Sequence, residues 1–326
     1  MTAKLSSLGF YGQYHGHPLA DLATLHAHLR AQDCGDAIAW LAGDSSLDNK
    51  HWLGSPLGKM MRSTNAKDVS AAPRRYAEAF EAPALAVEDV AYWMNHHLED
   101  QQTGIAALNC AVEESTLRDR AESLLPHDAF IRDNLRANDV LVVSVGGNDV
   151  VLKPDAGTLL ATAFLNYVVP TCMVGALPDA CLGRLRTLFK DETKRYIEAL
   201  CSKTAPRLVV VCMYYYPCAA KSDRASWADR FLNGIGYSET NAHHLHRVID
   251  HVYGRCTSRL AEECMIKIDG SDESDGDKHI TKLTNIMPLA LSGVLDWKDE
   301  RDYVERVEPS SRGGEKIARR LVEIII

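Results

Sequence analysis

Short runs of continuous apolar residues alternate along the chain with longer stretches in which apolar residues recur every three or four positions. The continuous runs predict strands buried on both faces, whereas the spaced pattern predicts amphipathic helices. Strands are predicted at 37–43, 104–110, 139–147 and 207–217, with one or two short strands within 264–270 and 279–289. The main helices are predicted at 18–32, 86–99, 156–169, 178–202, 240–262 and 313–324.

This alternation predicts an α/β fold, namely a doubly wound, flavodoxin-like three-layer α/β/α sandwich with a mostly parallel sheet of about five strands. Sites in such sheets form where the strands deliver their carboxyl ends. Residues 1–35 are predicted to be an N-terminal helical extension and 36–326 the α/β domain. The stretch 54–84 has no clear period and is predicted to be a surface excursion that could cover a cleft near the first strand.

Composition narrows the class of protein. Apolar residues make up 46% and charged residues 25%, an ordinary globular balance, and a net charge of -8 disfavours binding to nucleic acid or to anionic membranes.

The chain starts without a signal-peptide pattern and its nine cysteines include no CxxC pair, so we expect a cytoplasmic protein with reduced thiols. No apolar run approaches the ~18 residues of a membrane span. No cofactor or metal motif is predicted, since the acidic stretch 269–278 lacks the closing Glu of a calcium loop.

Polar segments follow the first three predicted strands, at the edge where a site is expected. Residues 43–49 (GDSSLDN) put Ser45 at the tip of a buried strand, from which its hydroxyl would project into a cleft; a helix cap is the alternative. Residues 145–149 (VGGND) turn on two glycines and then present the amide of Asn148. Residues 109–116 (NCAVEEST) offer a backbone N–H at the same edge. One amide and two N–H groups are the donors that an oxyanion hole needs.

Together these segments resemble the blocks of the SGNH hydrolase family, also called GDSL esterases and lipases, over about residues 36–326. The resemblance implies that Ser45 is the nucleophile and that Asn148, with the N–H groups of Ser45 and Glu114, holds the oxyanion. Glu114 stands where the family has a glycine. The residues expected to contact the substrate, with edge packing as the alternative for the tyrosines, are Asp44, Gly147, Tyr214 and Tyr215.

The fourth block of the family is Asp-x-x-His-Pro, followed by a glycine and the last helix, and it corresponds here to 305–309 (ERVEP). The resemblance places the acid at Glu305 and puts Glu308 where the family has its catalytic histidine. A free carboxylate is a weaker base than imidazole by about two pH units, or about 3 kcal/mol of proton affinity. Burial and a second carboxylate would raise its pKa, and Glu305 is the neighbour we expect.

Two alternatives for the base stay open. Glu308 could be a structural residue paired with an arginine, and Arg301, Arg306 or Arg312 would lower its pKa if they approached it. Separately, a histidine from elsewhere could act as the base, and the candidates are His279, which follows the acidic stretch, and His51, His127, His243, His244 and His246.

The sequence therefore supports two hypotheses about function. The first is an SGNH-type serine hydrolase that acts through Ser45 on a small ester or acylated metabolite, without cofactor or metal. The second is a hydrolase-fold protein with impaired catalysis, whose pocket binds a small ligand or a protein partner. Glu114 and Glu308 favour the second hypothesis because they put an unexpected charge at two functional positions. The oligomeric state is not predicted.

Overall fold

The long apolar runs pair into one central sheet of five strands: β1 (Ala37–Gly43), β2 (Ile105–Asn109), β3 (Val140–Ser144), β4 (Leu208–Met213) and β5 (Asn285–Ala290). The spatial order is β2-β1-β3-β4-β5 and every neighbouring pair is parallel. The first four strands are buried at every position, as their continuous apolar runs require. The predicted doubly wound, flavodoxin-like α/β fold is confirmed.

The structure is a computed structural model that describes residues 4–32, 37–54, 68–220, 225–264, 266–268, 280–282 and 285–326, with the backbone alone at 266–268 and 280–282. The acidic stretch 269–278 and His279 lie outside the described residues. Within them, no helix is long and apolar enough to cross a membrane, and the eight cysteines are free thiols.

In the described part of the chain, seven helices of eight or more residues flank the sheet. They are α1 (Leu19–Ala31), α2 (Val90–Asp100), α3 (Pro126–Asn134), α4 (Ala156–Ala163), α5 (Thr193–Leu200), α6 (Ala242–Arg255) and α7 (Ser311–Ile325). A π-helical segment, Phe164–Val168, continues α4, and another, Thr187–Glu192, precedes α5. Helices α1, α2, α4, α6 and α7 overlap the segments where the periodicity predicts helices. The helix predicted over 178–202 is instead divided into Asp179–Leu182, Arg184–Arg186, Thr187–Glu192 and α5.

Shorter elements complete the described chain. Antiparallel hairpins pair Val69–Ala71 with Leu85–Val87, Ile266–Ile268 with Ile280–Lys282, and Tyr303–Glu305 with Glu308–Pro309. The short α-helical segments are Ser7–Gly12, Lys50–Leu53, Arg74–Ala77, Gly147–Val150, Arg184–Arg186, Asp229–Gly234 and Leu260–Glu263. The 3₁₀ turns are Arg118–Arg120, Thr171–Ala176, Asp179–Leu182, Thr257–Arg259 and Glu300–Asp302.

The sheet separates two apolar cores because successive strand residues point to opposite faces. Leu41 of β1 belongs to the core that α2 and α7 cover, together with Met94 and Leu321. Trp40, its neighbour, belongs to the core on the other face, together with Leu25 of α1. Helices α3, α5 and α6 add apolar side chains to that second core, so the three predicted layers are present.

The stretch 54–84 differs from its prediction as a surface excursion. Residues 55–67 lie outside the described residues, but Tyr76 and Phe80 are fully buried in the core that contains Trp40. Apolar burial therefore overrides the loop-like composition of residues 68–84, and this part of the stretch belongs to the body of the fold.

One buried carboxylate joins α1 to the sheet. Asp139, at the start of β3, accepts hydrogen bonds from Arg30 Nη1 at 2.8 Å, from Ile38 N at 2.8 Å and from Trp40 Nε1 at 2.9 Å. The backbone N–H of Arg136 also donates to it at 2.8 Å. Because both members of the Arg30–Asp139 ion pair are almost fully buried, loss of either charge leaves the other without a partner in a medium of low dielectric constant.

We expect Asp139→Asn to lower the free energy of unfolding by about 3–5 kcal/mol, because it leaves the Arg30 guanidinium buried and uncompensated. Asp133→Asn is the control, since Asp133 pairs with Arg132 and Lys203 at the surface and should cost less than about 1 kcal/mol. Urea unfolding of both variants measures the difference, and equal losses would contradict the assignment.

Candidate active site

The candidate site lies at the carboxyl ends of β1 and β3, where the direction of the strand order reverses. Gly43, the last residue of β1, pairs with Ser144, the last residue of β3. A Cβ at position 43 would lie 2.0 Å from the carbonyl oxygen of Ser144, so only glycine allows the two strand ends to come this close. The segments after these strands, which contain Ser45 and Asn148, therefore leave the sheet side by side.

The turn after β1 is held by its own buried side chains. Ser46 Oγ donates to Asp44 Oδ1 at 2.9 Å and lies 2.7 Å from Ser144 Oγ. Tyr214 OH donates to Asp44 Oδ2 at 2.7 Å and accepts from the backbone N–H of Gly147 at the same distance. Asp44, Gly147 and Tyr214 thus hold the two loops together, and all three also line the cavity described below, so their predicted contact with a substrate stays a prediction.

Ser45 lies opposite Glu308. Its hydroxyl donates to Glu308 Oε1 at 3.0 Å, and both residues are buried. Two hydrogen bonds hold the hairpin that presents Glu308: Asn49 Nδ2 donates to the carbonyl of Pro309 at 2.8 Å, and Tyr215 OH donates to the carbonyl of Val307 at 2.8 Å.

The first glycine after Pro309, Gly313, has a steric reason. A Cβ on Gly313 would lie 2.1 Å from the carbonyl oxygen of Asp302, so this residue allows the first turn of α7 to pack against the hairpin. Ser310 caps the helix by accepting a hydrogen bond from Gly313 N at 3.1 Å. Local packing therefore requires a glycine at position 313, whereas Gly314 makes ordinary contacts.

The predicted oxyanion donors lie on the loops around Ser45. Asn148 Nδ2 donates to the carbonyl of Ser115 at 3.1 Å, which fixes the amide and leaves its second N–H. Within the described residues, the backbone N–H groups of Ser45 and Glu114 have no acceptor. Glu114 has a φ of 59°, in the left-handed region where glycine is the preferred residue. The side chain of Glu114 accepts from Tyr14 OH at 3.0 Å and does not line the cavity.

A second buried glutamate, Glu113, belongs to the site. Its Oε1 accepts from Trp52 Nε1 at 3.2 Å, and its residue is only 3% exposed. The Oε2 atoms of Glu113 and Glu308 are both buried and have no hydrogen-bond partner in the described part of the chain. Burial, then the negative charge of Asp48, raises the pKa of Glu113 to about 8.

The same two effects act on Glu308. Burial, and next the Glu113 carboxyl, raise the pKa of Glu308 well above its ordinary value, while the hydrogen bond from Ser45 opposes the rise. Asp44 and then Glu305 add smaller contributions in the same direction. Glu305 accepts a hydrogen bond from the backbone N–H of Trp227 at 3.3 Å. The carboxyl that raises the pKa of Glu308 most strongly is that of Glu113 rather than that of Glu305.

Asp48 fixes the position of Glu113. Its Oδ2 accepts from the backbone N–H groups of Gly16 and Glu113, each at 3.0 Å, and its Oδ1 accepts from Lys50 Nζ at 2.6 Å. Asp48 and Lys50 form a fully buried ion pair. His15 Nδ1 lies 3.0 Å from the carbonyl oxygen of Glu113. The segment 14–16 therefore lies against the site loops, which the prediction of a helical extension did not anticipate.

The predicted arginine partners of Glu308 pair with other residues. Arg306 Nη1 bonds Asp229 at 3.0 Å, and both Arg301 and Arg312 bond Asp299. The alternative in which Glu308 is held by an arginine is therefore wrong for these three side chains.

The candidate histidines also have other contacts. His127 Nε2 lies 2.7 Å from the carbonyl oxygen of His17, and His244 lies between Thr171 and the carbonyl oxygen of Leu165. His246 stacks on Tyr216, which bonds Asp250. The ring of His243 contacts Trp297, and that of His51 contacts Tyr14. The hydrogen bond of the Ser45 hydroxyl goes to Glu308.

A cavity of about 990 Å³, including its open mouth, adjoins these groups. Its polar end is formed by Asp44, Ser45, Asn148 and Glu308. The remaining walls are largely apolar and come from the segment around α4, from β4 and the loop after it, and from α6; they include Leu165, Phe189, Met213, Tyr215, Phe231, Leu245, Val248, Ile249 and Val252. The described residues contain no cluster of His, Cys, Asp or Glu suited to hold a metal ion.

Sequence reasoning missed Glu113, Tyr14 and the Asp48–Lys50 pair. Glu113 carried a usable signal, because it lies in the polar segment after the second strand, at the edge of the sheet where a site is expected. Tyr14 carried none, since its contact with Glu114 spans 100 residues of sequence and depends on how the segment before α1 crosses the loops.

Comparison with known proteins adds a likeness of fold. The chain is similar to an extracellular lipase from Streptomyces rimosus, whose crystal structure matches with a TM-score of 0.42 and 14% sequence identity over 89% of this chain and 100% of that chain. No family model matches the chain, and no curated protein matches it. A likeness at this level supports no conclusion about chemistry, so the proposals below rest on the geometry of the site.

The raised pKa of Glu113 predicts a pH dependence of stability. An unfolded Glu titrates near pH 4.3, so between about pH 4.3 and 8 the folded protein binds more protons than the unfolded chain, and stability falls as the pH rises. The expected slope is about 1.4 kcal/mol per pH unit for each such proton. Glu113→Gln should reduce this fall, as measured by urea unfolding from pH 5 to pH 8.

Glu323→Gln on the surface of α7 is the matched control and should retain the wild-type slope. If Glu113→Gln also retained it, Glu113 would be ionised in the folded protein, contrary to this assignment.

Proposed function

We propose that the protein is an SGNH-type serine hydrolase that cleaves esters with an uncharged acyl chain. The observation that carries the proposal is the 3.0 Å hydrogen bond from the Ser45 hydroxyl to Glu308, at the polar end of an otherwise apolar cavity. A buried hydroxyl bonded to a buried carboxyl, next to the amide of Asn148, supplies a nucleophile, a base and an oxyanion donor in one place.

The first half of the reaction uses Glu308 in its ionised form. As Ser45 Oγ bonds to the acyl carbon, its proton passes to Glu308, and the electron pair of the carbonyl moves to the oxygen. Asn148 and the N–H groups of Ser45 and Glu114 hold this oxyanion. When the tetrahedral intermediate collapses, the C–O bond to the leaving group breaks and Glu308 returns the proton to the departing alkoxide.

The second half repeats these steps with water. Glu308 takes a proton from a water molecule that attacks the acyl-enzyme, and the collapse returns this proton to Ser45 Oγ with release of the carboxylic acid. Each turnover therefore consumes one ester and one water, and leaves Glu308 and Ser45 as they began.

The environment of Glu308 compensates in part for the missing histidine. A carboxylate with an ordinary pKa is a poor acceptor for the proton of a serine, but burial and the Glu113 carboxyl raise the pKa of Glu308 well above its ordinary value and so make it a stronger base. The consequence is that Glu308 is protonated, and unable to act as a base, at pH values below its raised pKa. Catalysis should therefore require a higher pH than a carboxylate base with an ordinary pKa would need.

The apolar walls indicate the kind of acyl group. Burial of each additional methylene against side chains such as Leu165, Val248 and Ile249 contributes up to about 0.8 kcal/mol. A chain of medium length can exploit this contribution, whereas an acetyl group cannot.

With p-nitrophenyl octanoate as substrate, we expect Ser45→Ala to lower kcat/KM by about 100-fold or more, because it removes the attacking oxygen. A fluorophosphonate probe should label the wild type and fail to label Ser45→Ala. Ser46→Ala is the matched control and should still be labelled, since the Ser46 hydroxyl bonds Asp44 and Ser144 rather than Glu308. Hydrolysis or labelling that survives in Ser45→Ala would refute the role of Ser45.

We further expect kcat/KM to rise with pH along a single limb that reports ionisation of Glu308. Glu113→Gln removes the carboxyl that competes with Glu308 for ionisation, so the limb should move toward lower pH. The measurement is the pH profile of kcat/KM for wild type and variant between pH 5 and 9.

Glu305→Gln is the control for a more distant carboxyl and should move the limb less than Glu113→Gln does. Profiles that coincide for the wild type and Glu113→Gln would mean that the base is not coupled to Glu113.

One observation favours a second function, a binding protein without turnover. Below its raised pKa, Glu308 carries no charge, and a neutral polar end next to an apolar cavity would hold a fatty acid or acyl ligand without activating Ser45. Binding of octanoate by both the wild type and Ser45→Ala, with no Ser45-dependent ester hydrolysis up to pH 9, would select this function over the first.

A further inference from the structure

Residues 156–173, which include α4 and form one wall of the cavity, expose large apolar side chains on their outer face. Large apolar side chains exposed to solvent are concentrated there, and their exposed fractions reach 73% at Leu160, 68% at Tyr167 and 65% at Val168. We call these six residues the apolar patch: Leu159, Leu160, Phe164, Tyr167, Val168 and Met173. In the rest of the described chain, the exposed large apolar side chains are Leu8, Leu19, Met287 and Ile326, which are scattered along the sequence.

The amphipathic pattern of this segment is partly inverted. Thr158 and Thr162 of α4 face inward and are buried, while Leu160, Phe164 and Val168 lie on the outer face at helical spacing. A helix that only had to pack on the protein would have the opposite arrangement. The exposed apolar side chains therefore indicate contact with something outside the protein.

Charge is absent from the same stretch. Residues 156–178 contain no Asp, Glu, Lys, Arg or His, whereas at 25% charged residues a stretch of 23 positions would contain about six. The chain as a whole also has a net charge of -8, which disfavours anionic lipids. An uncharged apolar face on an acidic protein is complementary to a neutral surface.

The segment is also continuous with the cavity. Thr162, Leu165 and Asn166 line the cavity from the inner side of the helix whose outer side holds the patch. His244 of α6 holds the helix in place, because its ring nitrogens lie 2.8 Å from the Leu165 carbonyl oxygen and 2.8 Å from Thr171 Oγ1. A surface that touches the patch is separated from the cavity by the thickness of this one helix.

We infer that the apolar patch docks on a neutral lipid surface, such as the face of a zwitterionic bilayer or micelle, and so brings the cavity to acyl substrates held there. A second copy of the chain fits the patch less well, because protein interfaces surround their apolar centre with a polar rim, whereas residues 156–178 contain no charged side chain. The identity of the substrate rests on the proposed function, but the docking itself requires no catalysis.

The test is sedimentation of the full chain with phosphatidylcholine vesicles. The wild type should bind, Leu160→Asp/Val168→Asp should bind at least about 10-fold more weakly, and Leu8→Asp/Leu19→Asp, which adds the same charge outside the patch, should bind like the wild type. Vesicles that contain phosphatidylglycerol should bind the wild type more weakly than phosphatidylcholine alone, because the protein is acidic. Hydrolysis of dissolved p-nitrophenyl esters should be the same in Leu160→Asp/Val168→Asp as in the wild type.

Ser45→Ala separates this inference from the proposed function. If it binds vesicles like the wild type, docking stands whether or not Ser45 proves to be a nucleophile. Absence of wild-type binding, or equal binding by Leu160→Asp/Val168→Asp, would overturn the inference and leave the esterase assay unaffected. A wild-type dimer that Leu160→Asp/Val168→Asp converts to a monomer in light scattering would also overturn it, since a second copy would then cover the patch.

Discussion

The candidate site depends on one buried carboxylate, that of Asp48. Asp48 lies in the loop after β1. Its carboxylate accepts hydrogen bonds from the backbone N–H groups of Gly16, in the segment before α1, and of Glu113, in the loop after β2. Three parts of the chain that are distant in sequence therefore meet at one side chain. Lys50 neutralises the charge, which makes burial of the carboxylate tolerable. Together with the contacts of Trp52 and His15 to Glu113, this junction holds Glu113 beside the loops that contain Ser45 and Asn148.

The same junction sets the electrostatics of the site. Asp48 lies close enough to Glu113 to raise its pKa, and Glu113 in turn raises that of Glu308. Carboxyl groups that are packed together and shielded from water cannot all be ionised at neutral pH. The carboxyl beside the hydroxyl of Ser45 therefore binds a proton more tightly than an exposed glutamate does. This property comes from burial and from the neighbouring carboxyl groups, not from Glu308 alone.

Much of the fold could be predicted because burial on both faces forces each central strand to be a continuous apolar run, as in β3 and β4. The order of the strands then determines that the loops after β1 and β3 are adjacent, so the region of the site followed from the fold. The partner of Glu308 did not follow: proximity along the chain favoured Glu305, but the hairpin directs Glu305 toward Trp227 and brings Glu308 toward Glu113. Contacts of this kind depend on tertiary packing of segments far apart in sequence. The buried positions of Tyr76 and Phe80 were missed for the same reason.

Glu114 adopts a left-handed backbone conformation that is typical of glycine, at a conformational cost of about 1 kcal/mol for a residue with a side chain. Its side chain does not line the cavity and instead accepts the hydrogen bond of Tyr14. The course of the main chain and the use of the side chain are therefore separate constraints at this position. Any residue that tolerates these torsion angles would preserve the turn, whereas only a residue with a suitable acceptor would preserve the contact with the segment before α1.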